Sequence, residues 1–240
     1  MTFFDNGDAH LHYDVEGEGF PVLVLAPGGM RSANDLWNGA PWNPRTALTD
    51  AYRVIGMDQR NAGASTAPVS AEHGWKQYCA DQLALLDHLA IDTCHVIGMC
   101  IGGPFIAALL STAPERFRCA VMLQPAGFSD NHAAYTEMYD QWVLARSDDH
   151  PEAQPADWAG LGEHMWGGDF VFSATREQAA AWPNPLLVMM GNDLFHPQAV
   201  SREIADLAPH ATLVEQWKDT DSLPACDATI RAFLAGNTPT

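Results

Sequence analysis

Apolar runs of strand length alternate with helical stretches along most of this chain, and no other feature restricts its fold as tightly. The strand-like runs are FPVLVLAP from Phe20, YRVIGMD from Tyr52, CHVIGM from Cys94, CAVMLQP from Cys119, PLLVMMGND from Pro185 and ATLVEQW from Ala211. Continuous apolar runs of this kind, rather than alternating ones, suit strands buried on both faces. Between them lie the helical patterns YCADQLALLDHLA from Tyr78, PFIAALLSTAPERF from Pro104, QAVSREIADLA from Gln198 and ATIRAFLAG from Ala228. Strand followed by helix, repeated, predicts an α/β fold with a mostly parallel sheet flanked by helices. The more polar pair around TFFD and AHLHYDVEGEG predicts an antiparallel hairpin at one edge.

That rhythm stops between residues 128 and 182, which hold no strand-like run but contain Trp142, Trp158, Trp166 and Trp182. Aromatic density of this order is typical of pocket walls. The expected organisation is therefore a core of residues 1–127 and 183–240 with a helical lid inserted at 128–182. With 240 residues the chain suits one domain.

Thirty acidic residues against 12 basic ones give a formal charge of -18, which argues against nucleic acid or an anionic membrane as partner. No apolar run reaches about 18 residues and the first residues carry acids rather than bases, so a cytoplasmic protein acting on a small molecule is expected, with self-association left open. The cysteines, Cys79, Cys94, Cys100, Cys119 and Cys226, are odd in number and lack any C-x-x-C pair. Reduced thiols are expected, and neither they nor the scattered histidines suggest a metal or other cofactor.

One cysteine stands apart. In HVIGMCIGGPF a buried strand runs into Gly98-Met99-Cys100-Ile101-Gly102 and then a helix, which is the thiol form of the G-x-S-x-G nucleophile elbow. The glycines permit a sharp strand-to-helix turn, and the turn lifts the side chain between them clear of the sheet. A thiol there meets the helix N-terminus, whose dipole and free N–H groups favour a thiolate. Cys79, Cys94, Cys119 and Cys226 lie inside helix or strand patterns and fit small buried hydrophobes.

These residues resemble the elbow of the α/β-hydrolase superfamily, in its cysteine form similar to dienelactone hydrolases and the polyester synthases of bacterial storage granules. LAPGGMRS at 25–32 resembles the superfamily's oxyanion loop, MDQRNAGAS at 57–65 its D-x-R-G-x-G-x-S turn with Asn61 in place of a glycine, and GNDLFHP at 191–197 the turn presenting its acid. The resemblance implies Cys100 as nucleophile and Asp193 as acid. It also implies an oxyanion hole made by the amide of Ile101 and one from Gly29 or Met30.

One expected residue is missing. The superfamily places its histidine after the last strand, whereas here ATLVEQW leads into KDTDSLPACD, and no histidine follows His210. Three substitutes compete: His196, three residues past the acid; a lid histidine such as His164; or no histidine at all, with the helix dipole and Lys218 keeping the thiol ionised. The reading that follows is a hydrolase or acyl-transfer enzyme acting on a small apolar or aromatic ester, thioester or lactone, with Trp142, Trp158, His164 and Trp166 around the substrate. The alternatives are a carbon–carbon bond hydrolase of ring-fission products and a non-catalytic ligand-binding homologue.

Overall fold

A computed structural model describes residues 1–240. Its eight strands are β1 (Thr2–Asn6), β2 (Ala9–Glu16), β3 (Phe20–Leu25), β4 (Tyr52–Met57), β5 (Cys94–Cys100), β6 (Phe117–Pro125), β7 (Leu186–Met189) and β8 (Ala211–Val214). They form one sheet in the order β1-β2-β4-β3-β5-β6-β7-β8. The expected edge hairpin is present as β1 and β2, and β2 runs antiparallel to β4, while every pairing from β4 to β8 is parallel. The helices are α1 (Pro44–Ala47), α2 (Trp75–His88), α3 (Gly102–Thr112), α4 (His132–Arg146), α5 (Pro155–Trp166), α6 (Arg176–Ala179), α7 (Gln198–Leu207) and α8 (Leu223–Asn237). None is long and apolar enough to cross a membrane.

Burial on both faces explains the continuous apolar runs. Along β5, Val96 belongs to the larger core under α2 and α3, while Ile97 and Met99 face the smaller one with Trp37, Trp217 and α8. A strand with side chains in two cores has no polar face, so period-two alternation is absent from it. β5 does contain one buried polar side chain, His95, whose ring nitrogens reach Cys119 Sγ and Thr238 Oγ1, each at 3.0 Å.

Parallel register brings several strand ends to one edge. Leu25 lies beside Gly98, Cys100 beside Pro125, and Leu123 beside Met189, so the loops leaving β3, β5, β6 and β7 emerge together. Ligand sites of open α/β sheets gather at such carboxyl ends. Residues 128–182 do form helices between β6 and β7, but not as one unit. Helices α4 and α5 pack on each other, whereas α6 packs on α3 and α7, and Trp182 Nε1 donates to Ser111 Oγ of α3 at 2.9 Å. The end of the expected lid segment at 182, with its tryptophan, thus packs against the core rather than on α4 and α5.

Candidate functional site

At the end of β5 the chain turns within one residue. Cys100 has φ 60°, a left-handed conformation costly for any side chain with a Cβ and held here by its surroundings. Gly98 and Gly102 make the turn sterically feasible: a Cβ on Gly98 would lie 2.5 Å from the Gly102 carbonyl oxygen, and one on Gly102 would lie 2.6 Å from that of Leu25. The thiol that results is partly exposed, unlike Cys79, Cys94, Cys119 and Cys226, which are buried.

Two backbone amides, those of Ile101 and Gly28, lie near the sulfur and favour its ionised form. Ile101 was expected; Gly28 was not. The amide expected from Gly29 or Met30 belongs to the same loop. A 3-10 turn begins at Gly29, directly after Gly28, and rolls Met30 into the core, where it is 4 % exposed. Gly29, like Gly28, lies on the cavity wall. The loop is anchored from below. Ser32 Oγ donates to the Ala26 carbonyl at 2.7 Å, Gln59 N donates to the Ser32 carbonyl at 3.0 Å, and Asp58 accepts from the amides of Asn34 at 2.7 Å and Ala64 at 2.9 Å. The MDQRNAGAS turn thus braces the amide-bearing loop. Asn61 adopts φ 61° there, a conformation asparagine tolerates better than most residues, and its Oδ1 accepts from Ala67 N at 2.8 Å.

The third segment is the loop after β7. Asp193 and His196 close a tight turn, with Asp193 N donating to the His196 carbonyl at 3.3 Å and His196 N to that of Asp193 at 3.2 Å. The Asp193 carboxylate accepts from His196 Nδ1 at 2.7 Å and from the amides of Phe195 and His196, each at 3.1 Å. A carboxylate only accepts, so Nδ1 carries the proton. The other ring nitrogen, Nε2, is buried with no hydrogen-bond partner in the chain, and the ring is near enough to the Cys100 thiol for each to shift the other's titration. Folding back this sharply needs Gly191, where a Cβ would lie 2.6 Å from that of His196. From α4, Tyr135 donates to the Phe195 carbonyl at 2.6 Å, while Asn131, in the turn before that helix, donates to that of Leu194 at 2.7 Å.

The electrostatics follow from these contacts. Burial works against charge on Cys100, but the His196 hydrogen bond and charge and the amides of Gly28 and Ile101 outweigh it and hold the thiol below its ordinary value. Burial likewise opposes charge on His196, and Cys100 with Asp193 outweighs it, so the imidazole is raised. Asp193 loses some solvent too, yet His196, the Phe195 amide and Lys218 keep its carboxyl below the usual range. Lys218 sits where the resemblance would have put a histidine. Its Nζ donates to Gln124 Oε1 at 2.6 Å and lies 3.9 Å from Asp193 Oδ2, so it faces the acid.

A cavity of about 330 Å³ opens over the thiol, its wall including Cys100, His196, Tyr135, Met138, Trp166 and Phe195. Of the aromatic residues expected around a substrate, Trp166 is on this wall and Trp142 is not. Trp142 lies one helical turn beyond Met138 and packs against Tyr139 and Trp158, with ring centroids 5.8 and 5.6 Å away. Trp158 is buried in that same cluster. His164 is exposed, its Nδ1 3.2 Å from the His73 carbonyl, because two residues along a helix turn it about 200° from Trp166. Tyr135, Met138 and Phe195 were missed. A tyrosine in an amphipathic helix carries no sequence signal that it will support a loop 60 residues away.

A strained thiol elbow with a histidine and an acid at one edge of a mostly parallel sheet defines the class, and family comparison agrees: residues 21–151 match the model described as alpha/beta hydrolase fold, so the chain belongs to that family. Among its relatives, the proposed carbamate hydrolase RutD of Pseudomonas syringae is 27 % identical over 90 % of this chain and 94 % of its own. Carboxylesterase YbfK of Bacillus subtilis is 26 % identical over 79 % of this chain and 70 % of its own. The crystal structure of an enol-lactonase from Burkholderia xenovorans superposes with a TM-score of 0.72, at 22 % identity, covering 98 % of this chain and all of the other. The first two support a hydrolase; the third supports the fold.

Proposed function

We propose that this protein is a hydrolase or acyl-transfer enzyme that uses the Cys100 thiolate on a small apolar or aromatic ester, thioester or lactone. The observation that carries the proposal is the line Cys100–His196–Asp193, in which one imidazole binds the carboxylate through Nδ1 and keeps its other nitrogen unpartnered beside the thiol, whose titration it lowers. That geometry also favours the first of the three substitutes for the missing histidine. The acid's own loop provides the base, which removes the main argument for a non-catalytic binder.

The chemistry is short. The thiolate attacks the carbonyl carbon, and the oxygen that becomes negative is met by the amides of Gly28 and Ile101, donors of a kind worth about 3 kcal/mol each. When the tetrahedral intermediate collapses, the leaving oxygen or sulfur takes the proton from His196 Nε2, and the acyl group stays on sulfur as a thioester. Neutral His196 then takes a proton from water, or from an acceptor alcohol or thiol, as it attacks the thioester carbon. Collapse releases the product and restores the thiolate–imidazolium pair. Asp193 keeps the ring in the required tautomer throughout. Helices α4 and α5 act as the lid, placing Tyr135, Met138 and Trp166 over the reacting sulfur and excluding water from the first step.

Mass spectrometry of the protein incubated with activated esters and lactones tests the proposal. An acyl adduct on wild type that disappears in Cys100→Ala is expected. An adduct that persists in the variant would refute acyl transfer to this sulfur. Turnover left intact by His196→Ala would refute the assignment of the base.

A further inference from the structure

The cavity over Cys100 is largely apolar, yet one arginine stands on its wall. Arg31 closes the 3-10 turn that follows Gly28, its amide donating to the Gly28 carbonyl at 3.1 Å, so its backbone is fixed relative to the amide that faces the sulfur. In a chain of charge -18, most lysines and arginines are matched with carboxylates, as Arg45 is with Asp14 and Glu16, and Arg60 with Asp81. Arg31 makes no such pair. Nor does it serve the thiol, which is held down by His196 and the amides of Gly28 and Ile101. Trp166 shares the wall, but its indole Nε1 is sealed from solvent and without a partner, as those of Trp37 and Trp142 are elsewhere in the core, which leaves Arg31 as the one lysine or arginine on the cavity wall.

Resting on the acyl-enzyme reading above, we propose that the substrate carries a carboxylate and that Arg31 is the residue that selects it. A guanidinium fork matches a planar carboxylate in two parallel hydrogen bonds, and the apolar remainder of the wall accommodates the body of such a molecule. A single cation balances a monoanion. A phosphate dianion would leave charge uncompensated within a strongly negative field. The acceptable substrates are therefore carboxylate-bearing esters, thioesters or lactones rather than neutral lipophilic ones.

Binding tests this separately from acyl chemistry. In the Cys100→Ala protein, calorimetry compares 4-phenylbutyrate with 4-phenylbutanamide, which share a shape and differ in charge. The acid is expected to bind about tenfold more tightly or better, with Cys100→Ala/Arg31→Gln erasing the difference and Cys100→Ala/Arg31→Lys keeping part of it. Equal binding of acid and amide, or a preference that survives Arg31→Gln, overturns the proposal. Turnover supplies the second arm, with 4-nitrophenyl hydrogen glutarate set against 4-nitrophenyl butyrate. The ratio of their kcat/KM values should fall about tenfold in Arg31→Gln, and a ratio that does not move also overturns it. Should neither ester acylate Cys100, the acyl-enzyme reading fails while the binding comparison still decides the role of Arg31.

Discussion

The molecule sets two cysteines beside histidines, and the titrations of the two pairs are shifted in opposite directions. Cys119 Sγ lies 3.0 Å from His95 Nδ1 between two layers of core, where burial first, and then the nearby Cys94, push the thiol far above its ordinary range. Burial and Arg118 push His95 down to about 4. That pair is neutral. At Cys100 and His196 burial acts in the same direction and is overcome, because Asp193 stands behind the imidazole and two amides stand beside the sulfur. Contact between a thiol and an imidazole therefore does not make an ion pair. What makes one is the stabilisation of each charge from its far side.

The comparison can be broken most directly by removing the far-side charge. Asp193→Asn should make the Cys100–His196 pair behave like the core pair: the thiol titrates higher, the imidazole lower, and, on the proposed mechanism, kcat falls by roughly a hundredfold to ten-thousandfold. Iodoacetamide kinetics and ester turnover measure both; unchanged values would mean that Asp193 does not polarise the ring.

A pH series sharpens it next. The charged pair requires a deprotonated Cys100 and a protonated His196. Reactivity should be lost as pH falls through the depressed thiol pKa, and as pH rises through the raised imidazole pKa the leaving group loses its proton donor. Turnover is therefore expected to be bell-shaped. Alkylation at pH 7 should modify Cys100 at least about tenfold faster than any other thiol, as peptide mapping would show. Equal labelling of all five cysteines would contradict the polarity assigned here.

Lys218 offers a smaller effect. It helps to hold the Asp193 carboxyl low from 3.9 Å, so Lys218→Met should raise that carboxyl, move the acidic limb of the activity profile upward and reduce kcat severalfold. Lys218→Arg should restore the limb more fully than kcat, because the charge is kept while the hydrogen bond to Gln124 is altered. The smallest catalytic change is expected at the core pair. Cys119→Ala removes a packed sulfur and leaves His95 Nδ1 without its partner, lowering stability by about 1–3 kcal/mol in a thermal melt while leaving turnover as it was.

Much of this architecture was legible beforehand for a local reason. A strand buried on both faces must be apolar at successive positions, as VIGM of β5 and LLVM of β7 are, and an elbow needs small residues where backbones nearly touch, as Gly98 and Gly102 do. Boundaries were less legible. Helix α8 begins at Leu223, before the apolar pattern starts, with Pro224 in its first turn. Trp142 and Trp166 look equivalent in sequence and differ in placement, because one packs on a neighbouring helix and the other lines the cavity over the thiol. Which amide of GGM comes nearest the thiol depends on the phase of a 3-10 turn, which those three residues do not reveal.

What the sequence alone determined is the kind of sheet, the strained position of one cysteine and the absence of a histidine after the last strand, all consequences of residues close together in the chain. Tertiary structure decided which histidine comes to lie beside both the thiol and the acid. His196 qualifies because β5 and β7 end at the same edge, because Gly191 lets the loop fold back on itself, and because Tyr135 and Asn131 fix that loop from outside. Charge separation between a sulfur and a ring depends on every dipole and carboxylate within a few ångströms, and those arrive from segments far apart in the chain, which is why only the folded molecule distinguishes Cys100 from Cys119.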